Sequence, residues 1–482
     1  MATPQSRPGF AVRYLILFGG EAVSKVCVLL AFAYLARVLS PSDYGTVELA
    51  LSVTMFFVLG VESGMGSYGA RIVAADPSQA PSIVPRVAIL RGLLGLPAFL
   101  LILAVAAQYR AAGLGVLAVN GIAVLLTPFL TQWVFQGLAQ MHWVAAGTAL
   151  RNMTFVALVL LLVRPGSDIR LVAAAEVGGV AALGLFNLWV LRSRLRVALD
   201  WHGLWPGVTR VFGDVWSLGL SDFTWACLWY SPAVVLGWAT GGRTDQVAWI
   251  AASVRIVNAL HTFVFLYFFN LLPGLAKALA TGIDDWQRLM QRSMRVALWP
   301  AVLFAVGGTL IAPAAMPLVY GAEYASAVVP FQAVVWMIPV AWFSGHYRFS
   351  LIAAGRQRWE FLASAGAAIV VVGGAWLLAG TWGSAGAATA LVAGGVVNAV
   401  LAAWFSNRTI AGVAVLACAG PPAAAGAAAL VVGVLLREVV GVVPATVVAC
   451  ASFLAVAAVA EPELRRLASP AAFRTRSHAD VA

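Results

Sequence analysis

The sequence predicts an all-α polytopic membrane protein with about fourteen transmembrane helices. The chain of 482 residues is 62% hydrophobic and only 10% charged, whereas a soluble domain carries about 25% charged residues. Apolar runs fill it, and a helix needs roughly 20 apolar residues to cross the hydrocarbon core. The basic residues gather on alternate sides of these runs, and this third observation predicts the orientation.

The predicted spans leave little chain outside the membrane. The two longest loops, near 68–86 and 192–210, are too short for a folded soluble domain, so we expect the function to reside among the helices or at their ends. In order, the predicted spans are 14–36, 46–67, 87–107, 114–136, 143–163, 171–191, 211–239, 247–272, 296–319, 325–350, 360–380, 384–406, 413–435 and 440–460.

The net charge of +11 reflects topology. Most of the 30 Lys and Arg lie in or beside loops on one side, among them Arg71, Arg86 and Arg91 near the third span. The positive-inside rule makes that side, and both termini, cytoplasmic. This distribution argues against a nucleic-acid partner. The basic residues on the other side are Arg37, Arg110, Arg164, Arg170, Arg243 and Arg437.

The chain repeats itself at long range. Residues 42–53 resemble 244–254, residues 70–89 resemble 276–298, and residues 137–143 resemble 353–359. Six predicted helices separate each pair of partners. An even number preserves direction, so the sequence predicts two parallel repeats related by an axis along the membrane normal, as in many transporters.

The repeats predict the domain organisation. Residues 1–192 form an N-terminal lobe with helices 1–6, and residues 211–408 form a pseudo-symmetric C-terminal lobe with helices 7–12. The linker 193–210 carries arginines and tryptophans, which suits either a chain lying in the cytoplasmic interface or a simple topology anchor. Residues 409–482 contribute helices 13–14 and a cytoplasmic tail.

Several ionisable residues fall inside predicted spans. Such a side chain costs about 2.5–3.5 kcal/mol in hydrocarbon, so it usually faces a partner or a wet cavity. These residues are the candidates for a functional site. They are Glu21, Lys25, Glu62, Arg151, Glu176, Asp222, Arg255 and His261.

Lys25 and Arg255 are the candidate substrate-binding cations. Lys25 lies roughly 18 Å along helix 1 from Arg13, and Glu21 shares its helix face, so the two either pair with each other or Lys25 faces a cavity. The planar guanidinium of Arg255 on helix 8 suits a diphosphate, although it could instead pair with Asp222. Because helices 1, 2, 7 and 8 occupy matching places in the repeats, we expect Lys25 and Arg255 to face a shared central cavity.

The remaining charged candidates have open interpretations. Asp222 on helix 7 could carry a proton, coordinate sodium, or pack against Arg255. Glu62 sits in a Gly-Val-Glu-Ser-Gly segment that predicts a helix break, and we expect it to be exposed at the interface. Arg151 and Glu176 lie near the ends of their spans and are expected to extend toward the interface.

No enzyme constellation is present in the sequence. There is no Gly-x-x-x-x-Gly-Lys-Ser/Thr loop, no His-Glu-x-x-His, and no Asp-rich pair of the kind that membrane prenyl-phosphate transferases use. We therefore expect a protein without catalytic residues, cofactor or metal.

The segment from Lys25 to Gly45 resembles the opening of the oligosaccharide flippases for O-antigen and exopolysaccharide. Those proteins typically show a Lys in helix 1, then Ala-Arg-x-Leu-Gly-Pro and an acidic residue before Tyr/Phe-Gly; here Ala36-Arg37 precedes Pro41-Ser42-Asp43-Tyr44-Gly45. Three turns add to the resemblance. They are Gly64-Met65-Gly66 with Ala70-Arg71, Tyr320-Gly321-Ala322-Glu323-Tyr324, and Ala354-Gly355-Arg356.

The resemblance implies a fold and a function. The family belongs to the multidrug, oligosaccharidyl-lipid and polysaccharide exporter (MOP) superfamily, and its members move undecaprenyl-diphosphate-linked sugars from the inner to the outer leaflet by alternating access through a central cationic cavity. It implies a bacterial inner-membrane location, a lipid-linked oligosaccharide as partner, and a polysaccharide polymerase and glycosyltransferases as further partners. One departure is Glu62, where relatives commonly carry Asp or a neutral residue.

The resulting hypothesis assigns Lys25, Arg255 and Arg151 to the substrate. It assigns Asp222, Glu21 and Glu62 to ion coupling or to the acidic part of the cavity. The alternatives are a cation-coupled multidrug exporter or a peptidoglycan-precursor flippase of the same superfamily, and a membrane glycosyltransferase or polysaccharide ligase. A multidrug exporter should have an acidic cavity without central cations, and a transferase needs a catalytic carboxylate or His on an outer loop.

Overall fold

The computed structural model describes the backbone of residues 10–107 and 111–462 and the side chains of residues 24–107, 115–216 and 219–462. Within these ranges the chain is mainly helical, with no strand. Eleven helical segments found there, some of which join two consecutive helices, are long and apolar enough to cross a membrane. The all-α prediction is confirmed. The α-helices are α1 (Phe10–Val38), α2 (Pro41–Glu62), α3 (Met65–Ala75), α4 (Ala80–Ala106), α5 (Ala111–Leu125), α6 (Gln132–Gly137), α7 (Met141–Leu162), α8 (Arg170–Trp189), α9 (Leu204–Ala239), α10 (Thr244–Thr281), α11 (Ile283–Tyr320), α12 (Val328–Val334), α13 (Met337–Ala353), α14 (Gln357–Thr409), α15 (Val415–Val440) and α16 (Val442–Ala460).

Several predicted spans are broken helices. The second span is divided between α2 and α3, the fourth between α5 and α6, and the tenth between α12 and α13. The eleventh and twelfth spans both lie in α14, which kinks at Gly383 (φ 55°, ψ −133°). Glycine tolerates this positive φ because it has no Cβ, and the kink falls where the sequence predicts a loop.

The start of α2 illustrates how the sequence sets a helix boundary. Ser40 is extended, and its hydroxyl accepts a hydrogen bond from the backbone N–H of Asp43 at 3.1 Å. Pro41 occupies the first turn, where the missing N–H is not needed. The carboxylate of Asp43 also lies near the positive end of the helix dipole, so the Ser-Pro-Ser-Asp segment is a complete N-terminal cap.

The chain divides into two compact units, residues 1–248 and 249–482. Unit 1 contains α1–α9 and the first turn of α10, and α9 packs against α2 and α4 within it. This division by packing falls inside α10, whereas the sequence analysis placed the linker at 193–210. The two six-helix lobes with their linker stay a prediction.

Unit 1 is held by an apolar cluster and a tight helix contact. The cluster joins α3, α4, α6 and α9 around Met65, Trp133 and Val211. At the other contact, the hydroxyl of Thr244 donates to the carbonyl of Ser42 at 2.8 Å. A Cβ at Gly45 would lie 1.7 Å from the Thr244 carbonyl oxygen, so α2 and the start of α10 approach this closely only because residue 45 is glycine.

In unit 2 the two C-terminal helices pack on α11. A Cβ at Gly426 or Gly433 of α15 would contact Val302 or Leu310 of α11 at 2.6 and 2.4 Å. Small residues at a membrane helix interface allow such close approach. The predicted helices 13–14 are therefore an integral part of unit 2.

Candidate functional site

Unit 1 contains a polar cavity of about 370 Å³ among α2, α3, α4, α5, α6, α7 and α8. Polar groups inside a membrane bundle are costly and usually mark a functional or hydrated site. The polar residues that line this cavity are Thr54, Glu62, Ser67, Arg91, Asn120, Thr127, Gln132, Gln136, Arg151 and Glu176.

Arg91 is the most deeply buried charge of this cavity. Its side chain is 2% exposed, and its Nη2 lies 3.7 Å from Oε1 of Glu62. Nη1 donates hydrogen bonds to the carbonyl oxygens of Thr127 (3.1 Å) and Leu130 (2.8 Å). These carbonyls belong to the break between α5 and α6, and that of Thr127 also accepts the backbone N–H of Leu130 at 3.1 Å. One guanidinium thus satisfies a helix break and faces a carboxylate.

Glu62 sits at a second break, between α2 and α3. Ser63 and Gly64 both adopt the left-handed conformation (φ 41° and 69°), which ends α2 and starts α3. The predicted break in this segment is confirmed. Glu62 was expected at the interface, but it lines the cavity with 35% of its side chain exposed, because the break directs it toward Arg91 on α4.

Asp222 lies against the same break from α9. Its carboxylate is half-buried, accepts a hydrogen bond from the backbone N–H of Gly64, and lies close enough to Glu62 for electrostatic repulsion between the two carboxylates. One turn earlier, a Cβ at Gly219 would lie 2.8 Å from the Cβ of Ser63. The missing side chain at Gly219 therefore lets α9 approach closely enough to place a second carboxylate near Glu62.

Arg151 and Glu176 form a salt bridge between α7 and α8, with Nη2 2.5 Å from Oε1. Arg151 is 37% exposed and Glu176 is 17% exposed, and both line the cavity. Their positions in the sequence predict that each side chain extends separately toward the interface. Instead they pair with each other, because these antiparallel neighbours bring the two positions onto facing surfaces.

Uncharged polar groups complete the cavity. Asn120 donates from Nδ2 to Oγ1 of Thr54 at 3.1 Å, while its own Oδ1 is buried without a hydrogen-bond partner among the described residues. The Nε atom of Arg91 is also buried without a hydrogen-bond partner among the described residues. Buried polar groups are normally satisfied, so these two atoms indicate that the cavity holds water or a polar ligand.

Three of the predicted site residues lie together in unit 1. Glu62 and Arg151 share the cavity, and Asp222 lies beside it. Lys25 is half-buried on α1 in unit 1, and Arg255 is half-buried on α10 in unit 2. Glu21 lies in α1, but its side chain is outside the described residues.

Sequence reasoning missed Arg91 and underrated Glu176. Arg91 was counted among the cytoplasmic arginines, and its burial corrects that interpretation. Its position four residues inside the predicted span 87–107 was the available signal. Nothing in the sequence pairs it with Glu62, which lies 29 positions earlier (91 minus 62) on another helix.

The comparisons with known proteins agree on family and fold. A family model described as "Polysaccharide biosynthesis protein" matches residues 13–279. No curated protein sequence matches the chain. The lipid II flippase MurJ in an inward closed conformation is similar in structure, with a TM-score of 0.72 and 11% identity over 93% of this chain and 99% of that chain.

Two transporters of the MOP superfamily share the fold as well. An inward-facing multidrug resistance MATE transporter has a TM-score of 0.67 and 15% identity, over 80% of this chain and 94% of that chain. A transporter from Pyrococcus furiosus has a TM-score of 0.53 and 12% identity, over 81% and 95%. At these identities the likeness shows the fold alone, and it confirms the predicted all-α, many-helix membrane fold.

Proposed function

The chain belongs to the polysaccharide biosynthesis protein family, and on that premise we propose that it is a flippase for a polyprenyl-diphosphate-linked oligosaccharide. It moves this lipid from the inner to the outer leaflet of the bacterial inner membrane for the assembly of a surface polysaccharide such as O-antigen or exopolysaccharide. The family match over residues 13–279 is the observation that carries this proposal. The polar, charge-paired cavity of unit 1 supports it, because a hydrophilic head group needs such surroundings in a bilayer.

The proposed route is alternating access through a cationic cavity. Lys25 and Arg255 contribute the positive charge that attracts the diphosphate, while the lipid tail stays in the bilayer. Arg151 joins them only by loosening its salt bridge to Glu176. Arg151 would then bind the substrate only when the phosphate oxygens of the substrate replace the carboxylate of Glu176 as its partner.

Ion coupling is assigned to the carboxylates of unit 1. Asp222 and Glu62 approach the same helix break, and two neighbouring carboxylates favour binding of a proton or sodium ion between them. Glu21 is the third candidate. The membrane potential is an alternative drive, because one charge crossing 100 mV is worth about 2.3 kcal/mol.

Two transport alternatives differ in their cargo. A cation-coupled multidrug exporter has the same fold, but it should have an acidic cavity without central cations, and the proposed roles of Lys25 and Arg255 disfavour it. A peptidoglycan-precursor flippase also shares the fold and differs only in the glycan it carries. A membrane glycosyltransferase or polysaccharide ligase is disfavoured by the family match.

Depletion of the protein in its own cells tests the proposal. We expect loss of surface polysaccharide together with accumulation of the lipid-linked oligosaccharide in the inner leaflet. Partner glycosyltransferases and the polymerase should keep their own activities. Increased drug sensitivity with normal polysaccharide would favour the exporter, and rescue of cells that lack the peptidoglycan-precursor flippase would favour that alternative.

Substitutions then test the residue assignment. Lys25→Ala and Arg255→Ala should each reproduce the accumulation at normal protein level, whereas Arg243→Ala, which removes an exposed arginine, should not. Normal polysaccharide in both site variants would remove the assignment of Lys25 and Arg255 while leaving the flippase activity itself standing.

A further inference from the structure

A basic surface lies at one end of unit 1, where α3 ends, α4 begins, and the segment between α8 and α9 crosses from one helix to the next. Six arginines and three aspartates fall in these segments. The basic surface consists of Arg71, Arg86, Arg192, Arg194, Arg196 and Arg210, and the aspartates are Asp76, Asp200 and Asp214.

The three aspartates are engaged locally. Hydrogen bonds from Ser78 and Gln79 lower the pKa of Asp76, and hydrogen bonds from the backbone and ring of His202 lower the pKa of Asp200. Asp214 accepts the hydroxyl of Tyr68 at 2.7 Å. All three carboxylates are therefore already hydrogen-bonded, those of Asp76 and Asp200 within their own segments and that of Asp214 to Tyr68 on α3.

The arginines of the α8–α9 segment remain available to a ligand. Arg192, Arg194 and Arg196 are exposed, and among the described residues no carboxylate lies within salt-bridge distance of them. The guanidinium of Arg194 stacks on the ring of Trp189, with Cζ 5.1 Å from the centroid. Stacking orients a guanidinium while leaving its N–H donors free.

The segment that presents these arginines is firmly held. The backbone N–H of Val197 donates to Leu191 at 3.0 Å, and that of Asp200 donates to Pro81 of α4 at 2.9 Å. Leu195, Val197 and Leu204 pack on the apolar cluster of unit 1. The segment is therefore ordered and amphipathic: its apolar side chains pack on the cluster and its arginines are exposed.

Exposed tryptophans accompany the basic surface. Trp201, Trp205 and Trp216 each have more than half of their surface accessible, and Phe212 lies between the last two on α9. Tryptophan with arginine at a helix end is the composition of the bilayer interface, where the ring sits at head-group depth. A soluble acidic partner would explain the arginines but not these rings.

We propose that the basic surface binds the head groups of anionic glycerophospholipids, with Arg192, Arg194 and Arg196 as the principal phosphate ligands. Clusters of basic residues beside membrane helices attract anionic lipid by about 1 kcal/mol per residue. The positive-inside distribution puts this surface at the cytoplasmic leaflet. The inference does not depend on which cargo the protein moves.

Native mass spectrometry of the detergent-purified full chain tests it, with equal amounts of phosphatidylglycerol and phosphatidylcholine added. The wild type should retain phosphatidylglycerol preferentially, and the preference should fall as ionic strength rises. The triple variant Arg192→Gln, Arg194→Gln, Arg196→Gln should lose this preference by about tenfold or more. The triple Arg→Lys variant keeps the charge and should retain most of the preference.

The control variant is Arg164→Gln with Arg243→Gln, which removes exposed arginines predicted on the opposite side. It should bind phosphatidylglycerol as the wild type does. An unchanged preference in the triple Gln variant, or equal loss in the control, would overturn the assignment. Preferential displacement of phosphatidylglycerol by undecaprenyl phosphate would also overturn it, since the surface would then receive the polyprenyl carrier.

Discussion

Arg91 and Glu62 face each other across two helix breaks, with 3.7 Å between Nη2 and Oε1. The breaks lie in separate helices, between α2 and α3 and between α5 and α6. Arg91 also donates hydrogen bonds to the carbonyls of Thr127 and Leu130 at the second break. The geometry of the unit 1 cavity therefore depends on one buried guanidinium that the sequence alone does not single out.

Replacing Arg91 by Met should destabilise the protein by about 1–3 kcal/mol, because Glu62 loses its partner and the carbonyl of Leu130 loses its donor. The effect is measured as the loss of folded protein with temperature, by heating samples in detergent and quantifying the remaining folded fraction by size-exclusion chromatography. The double variant Arg91→Met, Glu62→Met should recover part of the loss, since no carboxylate is then left unpaired. Wild-type stability of Arg91→Met would contradict the pairing.

The Arg151–Glu176 salt bridge predicts opposite effects of two substitutions on substrate binding. Glu176→Gln frees Arg151 and should tighten the binding of undecaprenyl diphosphate, whereas Arg151→Ala should weaken it. Titration of the purified variants with this lipid measures both. Weaker binding in Glu176→Gln would mean that the salt bridge serves only to join α7 and α8.

The contact at Gly45 predicts a large effect of one methyl group. Gly45→Ala should destabilise the protein by about 1–3 kcal/mol or more, because the new Cβ meets the Thr244 carbonyl. Gly60→Ala on the same helix is the matched control, since no heavy atom lies within 4 Å of its Cβ. Equal melting temperatures for the two variants would contradict the close approach of α2 and α10.

The proposed ion coupling predicts that Asp222→Asn slows the translocation of the lipid-linked oligosaccharide when a pH or sodium gradient drives it. Asp214→Asn is the control, because Asp214 lies on the same helix but is bonded to Tyr68. Flux measurements in vesicles with each gradient applied separately identify the ion. If neither gradient nor the Asp222 substitution changes the rate of translocation, the membrane potential is the remaining candidate for the driving force.

Much of the fold follows from the sequence because the bilayer fixes helix length. The predicted spans lie on the observed helices, and the breaks near Gly64 and Gly383 coincide with glycines in positive-φ conformations. The cavity could not be predicted in the same way. Its ion pairs join different helices, as Arg151 with Glu176 does, and spacing along the chain reports only neighbours on one helix.

Positive-inside counting also has a physical limit, and Arg91 illustrates it. The count treats every arginine near a span end as hydrated, although a nearby carboxylate and backbone carbonyls can replace water around the guanidinium, as they do at Arg91. Lys25 and Arg255 are predicted as substrate-binding residues because of their depth in the membrane and their positive charge. Their roles stay predictions, because substrate binding cannot be deduced from how the side chains pack.

Translocation by the purified protein in liposomes tests the central claim most directly. A polyprenyl-diphosphate-linked oligosaccharide is incorporated, and a glycosidase outside the vesicles reports how much of it reaches the outer leaflet. We predict that the wild type exposes the glycan in excess of protein-free vesicles and that Lys25→Ala and Arg255→Ala abolish the excess. Exposure equal to that of protein-free vesicles, with active export of a cationic drug by the same preparation, would contradict the account.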